Sequence, residues 1–401
     1  MSIQTHNDLF ISYADTDRAW VEGYLNDALT QAGVSYISED AFELSRPRLL
    51  EFERAIAQSR RILILLSPAY LADALDQFAN VIAQSYGLES ATWPVIPLML
   101  SHTQLPPRLA VLMALDATNP DDWPRVIERL CEALQRPPPG ASPRPSCPYP
   151  GMKQYEEADS GRFFGREREV EELTERLRVQ PFQTVIGPSG SGKSSLVFAG
   201  LIPSLRKSGL FGNAAWLVRT IRPGVTPLQV LASAIGSDLT HPIVASDIEA
   251  LLAREQGTRQ FLLIVDQFEE LFTTGTADAV PFQQAVLALA QLPGCYVILT
   301  VRADFYPELM VSPAWSAIRN GRYEVLPLDT DGMHQAITRP AEQIGVFIES
   351  ALVERLVLDA SGQPGALPLI QETLVLLWER LQRRFLPLSA YEILVLPLGV
   401  Y

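Results

Sequence analysis

Cysteine is scarce in this chain, with three in 401 residues: Cys131, Cys147 and Cys295. Their odd number and scattered positions exclude a disulfide framework. Long hydrophobic runs are missing as well. The most apolar stretches are broken by Pro, Asp or Arg well before the roughly 18 residues of a membrane span, so no membrane partner is expected. Positive charge is in deficit: 32 Lys and Arg face 46 Asp and Glu, for a formal net charge of −14. That balance gives no footing for direct nucleic-acid binding. No fixed-period repeat is visible, and the polar start, Met1 to Asp8, has no signal-peptide core. A cytoplasmic protein is the expectation. What is present is ordinary globular composition, 47% apolar and 19% charged, over a length that suits two or three domains.

The most informative stretch is Thr184-Val185-Ile186-Gly187-Pro188-Ser189-Gly190-Ser191-Gly192-Lys193-Ser194-Ser195. An apolar run ends, a glycine-rich turn follows, and a helix is predicted from Gly192. Successive N–H groups in such a turn can surround a phosphate anion. Gly187, Gly190, Gly192, Lys193, Ser194 and Ser195 complete the G-x-x-x-x-G-K-[ST] pattern. Lys193 would reach the β- and γ-phosphates and Ser194 would hold Mg²⁺.

Before this stretch lies an open α/β pattern over residues 1–134. Strands are predicted at Leu9–Tyr13, Val34–Ile37, Ile62–Leu66 and Val95–Leu98, separated by helical spacing. Pro97 favours an edge or end position for the fourth. Further helices are predicted at about 74–86 and 122–134. Residues 135–154 follow as a linker. Prolines crowd 137–150, which favours an extended, semi-rigid spacer and leaves Cys147 as a free surface thiol.

After the glycine loop, Phe261-Leu262-Leu263-Ile264-Val265-Asp266 reads as a strand ending in an acid. It is expected beside the strand that carries the loop, with Asp266 in the Mg²⁺ shell near Ser194. Glu269 or Glu270 would orient or deprotonate the attacking water, with Glu269 slightly favoured. Tyr296–Arg302 is another strand and delivers Arg302 to the same sheet end, where its cation can sense a γ-phosphate or pair with Asp304. Gly365-Ala366-Leu367-Pro368 opens an amphipathic helix predicted to run to about Arg383, with Pro368 in its first turn. The core of this second region spans 155–328, and 329–401 is predicted to be mostly helical.

The first region resembles a TIR domain. The resemblance rests on Asp8-Leu9-Phe10-Ile11-Ser12-Tyr13, on Ser59-Arg60 with Ile62 to Leu71, and on Val95-Ile96-Pro97-Leu98. It implies a flavodoxin-like fold, self-association and, in many members, NAD⁺ cleavage at the nicotinamide–ribose bond. Ligand would bind near Ser12-Tyr13, the 38–47 loop and Ser67 onward. Enzymatic members carry a glutamate in the third helix. By that register its place here is Ala79, whose methyl group cannot stabilise an oxocarbenium-like transition state. Several readings stay open: an inactive TIR domain kept for assembly, an engineered change to Ala79, a shifted register, or a substitute acid such as Asp76 or Asp73. Phe42-Glu43 and Arg46-Pro47-Arg48 fall in the loop that joins TIR domains in the family's assemblies. Trp93 either rims the pocket or starts a strand in the core.

The second region resembles a STAND-class ATPase, the clade of NB-ARC and NACHT switches, and within it a bacterial subtype. The matching pieces are Arg162 with Phe164-Gly165-Arg166-Glu167, Gly187 to Ser195, Asp266 to Phe272, Arg302 to Tyr306, and Gly365 to Leu369. The resemblance implies a slow ATPase that holds ADP at rest and oligomerises with ATP. It places Pro368 on the adenine, and it implies homo-oligomers through both regions, or a TIR-containing partner or trigger protein, in defence against phage. The resemblance makes 329–401 a helical lid, and such proteins continue through a winged-helix domain with a nucleotide-reading histidine, whose start would fall near Leu388. None of His6, His102, His241 and His334 lies there, so either the chain is a fragment or a partner supplies the signal.

Overall fold

A computed structural model describes residues 7–43, 45–73, 95–103, 113–208, 215–237, 239, 242–255, 258–360, 363 and 365–395. Ala79, Asp76 and Trp93, and the helix predicted over 74–86, lie outside the described residues. The chain divides into two compact units. One comprises Met1–Ser146, Ile344–Val353 and Leu377–Tyr401, the other Cys147–Gln343 and Glu354–Leu376.

The first unit is built on a five-stranded parallel sheet in the order β2-β1-β3-β4-β5. The strands are β1 Asn7–Ser12, β2 Tyr36–Ser38, β3 Ser59–Leu66, β4 Val95–Met99 and β5 Leu115–Asp116. The central strands are apolar without alternation because both sheet faces are covered, and Leu9, Phe10, Ile11, Leu63, Ile64 and Leu65 have no exposed surface. Pro97 was expected to put β4 at an edge or end position, and β4 lies between β3 and the short β5. Pro97 aligns with Ile64 on one side, and on the other the two-residue β5 pairs only with Leu98 and Met99. Among the described residues, the missing proline N–H therefore falls where no strand pairs with it.

Phe42, foreseen in an assembly loop, turns inward. Its ring stacks on Phe10 at 6.1 Å and meets Phe52 edge-on at 5.1 Å. Glu43 and Arg46 pair at 2.8 Å and Arg48 pairs with Glu39 at 2.7 Å, so that loop is tied to its own unit.

Two short parallel strands, β11 Phe347–Ile348 and β12 Phe385–Leu386, complete this unit. The helix over Arg18–Gln31 widens into a π-helical turn at Val21–Leu25. Within that turn the Gly23 carbonyl accepts the Arg384 N–H at 3.0 Å. Arg383 pairs with the nearly buried Asp27 at 3.0 Å, and Phe385 packs 5.7 Å from Trp123. The helix opening at Ala366 stops at Trp378, short of the expected Arg383, and the chain turns into β12.

The second unit holds another five-stranded parallel sheet, β10-β6-β9-β8-β7. Its strands are β6 Phe182–Gly187, β7 Ala215–Ile221, β8 Thr258–Val265, β9 Cys295–Arg302 and β10 Arg322–Glu324. One expectation fails here. The strand ending at Asp266 does not neighbour the one that carries the glycine loop, because β9 lies between them. Both β8 and β9 are buried apolar runs, so local pattern cannot rank their order. Cys131 and Cys295 are buried, and Cys147, expected at the surface, is half-buried.

Candidate functional site

The candidate site lies at the carboxyl ends of β6, β8 and β9. It surrounds a cavity of about 430 Å³, a size typical of small-ligand sites. β6 ends at Gly187, the turn Pro188–Gly192 follows, and the next helix begins at Lys193. Gly190 has φ +72° and Gly192 φ +88°, values that side-chain-bearing residues rarely adopt. At Gly190 a Cβ would also come within 3.0 Å of the Gly365 backbone and 3.3 Å of the Pro368 ring. The turn is thus shaped by its own backbone and by the helix packed over it.

Lys193 folds back on the turn. Its Nζ donates to the carbonyls of Gly187 at 3.0 Å and Pro188 at 2.8 Å. Burial pulls its pKa below the ordinary lysine range, against the opposing charge of Glu269. Ser194 Oγ donates to Asp266 Oδ1 at 2.7 Å. The β9 strand bridges the gap it creates, since Thr300 Oγ1 donates to the same oxygen at 2.7 Å and accepts the Gln267 N–H at 3.0 Å. The Ser191 hydroxyl is buried in the turn without a hydrogen-bond partner among the described residues. That orphan, the loop glycines, and a lysine and hydroxyls beside a buried carboxylate suit a phosphate with a divalent cation.

The two candidate glutamates separate. Glu269 lines the cavity, 8% exposed, with its Oε2 accepting the Arg302 N–H at 3.3 Å. Burial raises its pKa, which suits a group that must take a proton. Glu270 does not line the cavity. Its Oε2 accepts the Gly224 N–H at 2.9 Å and pins the loop after β7. Arg302 lines the cavity, but its guanidinium is engaged by Asp304 at 3.0 and 2.5 Å.

Phe164, Gly190, Gly192, Lys193, Ser194, Ser195, Arg302 and Pro368 all border the cavity. Gly187 contributes its carbonyl to Lys193, and Asp266 reaches the site through Ser194. Arg162 is not on the wall; Asp159 holds it at 2.6 Å.

Several contributors were not foreseen. Gly151 to Gln154 line the cavity, although they belong to the stretch read as linker, and so does Tyr155, the first residue after it. Tyr155 donates its N–H to Ser195 Oγ at 3.1 Å, and its hydroxyl meets Gln371 at 3.1 Å. Only three lysines occur in the chain, Lys153, Lys193 and Lys207, and the first two face this cavity. That concentration was countable in the sequence. Arg166, 4% exposed, braces the turn by donating to the carbonyls of Ser191 at 3.1 Å and Leu326 at 2.9 Å. Arg222 donates to Asp266 Oδ2 through Nε at 3.2 Å and Nη2 at 3.0 Å.

In the first unit the strand ends gather a second polar group. Ser12 Oγ meets Tyr70 Oη and Glu39 Oε1, each at 3.0 Å, and Tyr13 donates to Asp40 at 2.6 Å. Ser67 donates to Asp17 at 2.7 Å, and burial raises the pKa of Asp17. These residues come together as the strand ends require, while the Ala79 position lies outside the described residues.

The architecture is therefore α/β, with an N-terminal parallel-sheet region followed by a C-terminal α/β region. Residues 148–395, more than half the chain, match the family described as Novel STAND NTPase 1, and the chain belongs to it. Residues 9–131 match the TIR domain family, so a TIR domain is fused to a STAND-type NTPase domain. No curated protein matches the chain. Among solved structures, the TIR domain of the Toll-related receptor TRR-2 from Hydra magnipapillata is 23% identical, over 32% of this chain and 98% of that one, with a TM-score of 0.28. The ORC1 protein of Aeropyrum pernix, solved in complex with DNA, is 14% identical over 55% of this chain and 61% of its own, with a TM-score of 0.42. Hsp104 of S. cerevisiae, solved with casein, is 18% identical over 61% of this chain and 44% of its own, with a TM-score of 0.41. Among the described residues no helix is long and apolar enough to cross a membrane.

Proposed function

We propose that this chain is a nucleotide-controlled signalling switch whose NTPase region governs a TIR output. The NTPase region takes ATP or ADP with Mg²⁺. The amides of 187–192 and Lys193 hold the phosphates, Ser194 and Asp266 hold the cation, Pro368 and Phe164 border the base, and Arg302 reads the γ-phosphate after leaving Asp304. Mg²⁺, when bound, neutralises charge on the β- and γ-phosphates. Glu269 holds a proton-accepting carboxylate at the site, and Glu270 braces the loop after β7. The observation that carries this reading is the Ser194–Asp266 hydrogen bond beside a glycine turn already closed by Lys193. Turnover is slow. ADP marks the resting form, and ATP favours homo-oligomers that bring TIR domains together and multiply their weak contacts. The setting is the cytoplasm, in bacterial defence against phage.

For the output, NAD⁺ hydrolysis is the activity of the TIR family, and Ala79 disables it in this chain. A second reading follows from the same residue. A TIR domain without the carboxylate serves as a scaffold that recruits another TIR-containing protein. The test is an NAD⁺ cleavage assay on the chain and on Ala79→Glu, with ATP–Mg²⁺, alongside a measurement of oligomer mass. Cleavage by Ala79→Glu alone supports the disabled-enzyme reading. Cleavage by the unaltered chain overturns the role given to Ala79. ATP-dependent oligomers with no cleavage by either protein support the scaffold. Absence of any ATP effect on mass overturns the switch.

A further inference from the structure

Asp266 has no exposed surface, and its carboxylate is fully engaged. Oδ1 takes the hydroxyls of Ser194 and Thr300, and Oδ2 takes two donors from Arg222. A buried carboxylate needs a compensating cation. Among the described residues the one that Asp266 pairs with is Arg222, at 3.0 Å. Lys193 is turned to backbone carbonyls and Arg302 to Asp304.

We propose that Arg222 is a built-in counter-cation of Asp266, which gives way when a divalent cation joins the nucleotide, and so sets how much of that cation the site requires. This rests on reading 187–195 as a nucleotide-phosphate site and concerns the regulation of that site. Ser194 donates its proton to Asp266, which leaves its oxygen lone pairs free for a metal. Arg222 and the metal are then like charges competing for one carboxylate. Arg222 is equipped to leave. Its side chain is half exposed, and it borders a cavity of about 470 Å³ whose wall also carries Glu156, and Glu157 held by Arg206 at 2.6 Å. It also opens the loop whose Gly224 N–H is held by Glu270. Asp266 and Glu270 thus grip that loop at two points, and departure of Arg222 releases one of them just before the helix Pro227–Ile235. A guanidinium with two donors on one oxygen is a stronger competitor than an amide, and lysine keeps the charge with fewer directed donors.

The test is the Mg²⁺ concentration that half-saturates binding of a fluorescent ADP analogue to the whole chain, measured for the unaltered protein, R222Q and R222K. Thermal unfolding is followed in parallel, in chelator and in Mg²⁺. In R222Q the half-saturating Mg²⁺ falls by about ten-fold, the factor that one charge-assisted contact of ~1.4 kcal/mol provides. R222K stays near the unaltered protein. R222Q also melts lower in chelator and recovers in Mg²⁺. An unchanged or increased Mg²⁺ requirement in R222Q overturns the proposal, because a phosphate-binding or merely structural arginine gives that result. If the unaltered chain binds no nucleotide with or without Mg²⁺, the nucleotide reading fails, and unfolding with Mg²⁺ alone decides the proposal. A larger Mg²⁺-dependent rise in R222Q than in the unaltered chain supports it, and an equal rise overturns it.

Discussion

Gly23→Ala is the substitution whose outcome the structure determines most sharply. Gly23 lies in the π-helical turn Val21–Leu25, against β12. An added Cβ would sit 2.6 Å from the Arg384 carbonyl oxygen, 3.1 Å from its carbon and 3.1 Å from Phe385 Cβ. The nearest atoms are backbone, so no flexible side chain can turn aside. Overpacking of this kind costs about 1–3 kcal/mol. Displacing β12 also breaks the hydrogen bond from Arg384 N–H to the Gly23 carbonyl, worth about 1 kcal/mol. Alanine recovers about 1 kcal/mol of helix propensity. The balance is a loss of about 1–3 kcal/mol, concentrated where β12 meets the helix. A chain of two compact units need not unfold in one step, so a global midpoint is a poor readout. Amide hydrogen exchange is local. The N–H groups of Arg384, Phe347 and Glu349 donate to Gly23, Arg384 and Leu386, which makes them reporters of this contact. Their protection should fall about ten- to hundred-fold, as 1.4 kcal/mol per decade requires. The amides of Phe10 and Leu63, in the central strands of the same unit, should keep their protection. Equal protection of Arg384, Phe347 and Glu349 in both proteins would refute the reasoning.

Other outcomes follow from the site. Lys193→Ala should weaken ADP–Mg²⁺ binding by about 100-fold, since a charge-assisted contact on phosphate is worth roughly 1.5–3 kcal/mol; calorimetry showing affinity within a factor of two would remove Lys193 from the phosphate site. Gly190→Ala should cost binding through the shape of the turn and its contact with Pro368, with a loss of about 1–3 kcal/mol; a variant with full affinity and full thermal stability contradicts this. Glu269 holds its proton to higher pH in the folded chain than in the unfolded one because of burial. The folded state therefore binds more protons across that window, and stability falls as pH rises from the ordinary carboxylate range through the raised pKa. Glu269→Gln should abolish that fall and be the more stable protein at neutral pH without nucleotide, while ATP turnover drops at least about ten-fold. Parallel pH–stability curves for the two proteins would contradict it.

Short-range pattern was sufficient for many elements. Continuous apolar runs such as Ile62–Leu66 and Phe261–Val265 announce strands covered on both faces, and the turn at 187–192 is written in its glycines. Side chains within a few residues of a strand end, such as Ser194 and Glu269, were legible because a loop leaving a parallel sheet at its carboxyl end has few places to go. Arg222 was not, because nothing near it in sequence says that β7 ends beside β8 and aims a cation at Asp266. Glu269 and Glu270 look alike in the sequence, and the turn of the backbone between them sends one into the cavity and the other to Gly224.

By itself, then, the sequence determined two α/β regions, the proline-rich stretch between them, the glycine turn with its lysine and serine, and the alanine at position 79. Each is a property of consecutive residues, read through backbone conformation, period or side-chain chemistry. Tertiary structure alone decided that β9 separates β6 from β8, that Pro97 sits inside a sheet, that Tyr155 and Lys153 reach the cavity, and that residues near 385 close on the helix of Gly23. Those outcomes depend on which apolar surfaces meet across long stretches of chain. Burial drives such meetings without naming the partner, because apolar contact is non-directional and its strength follows area.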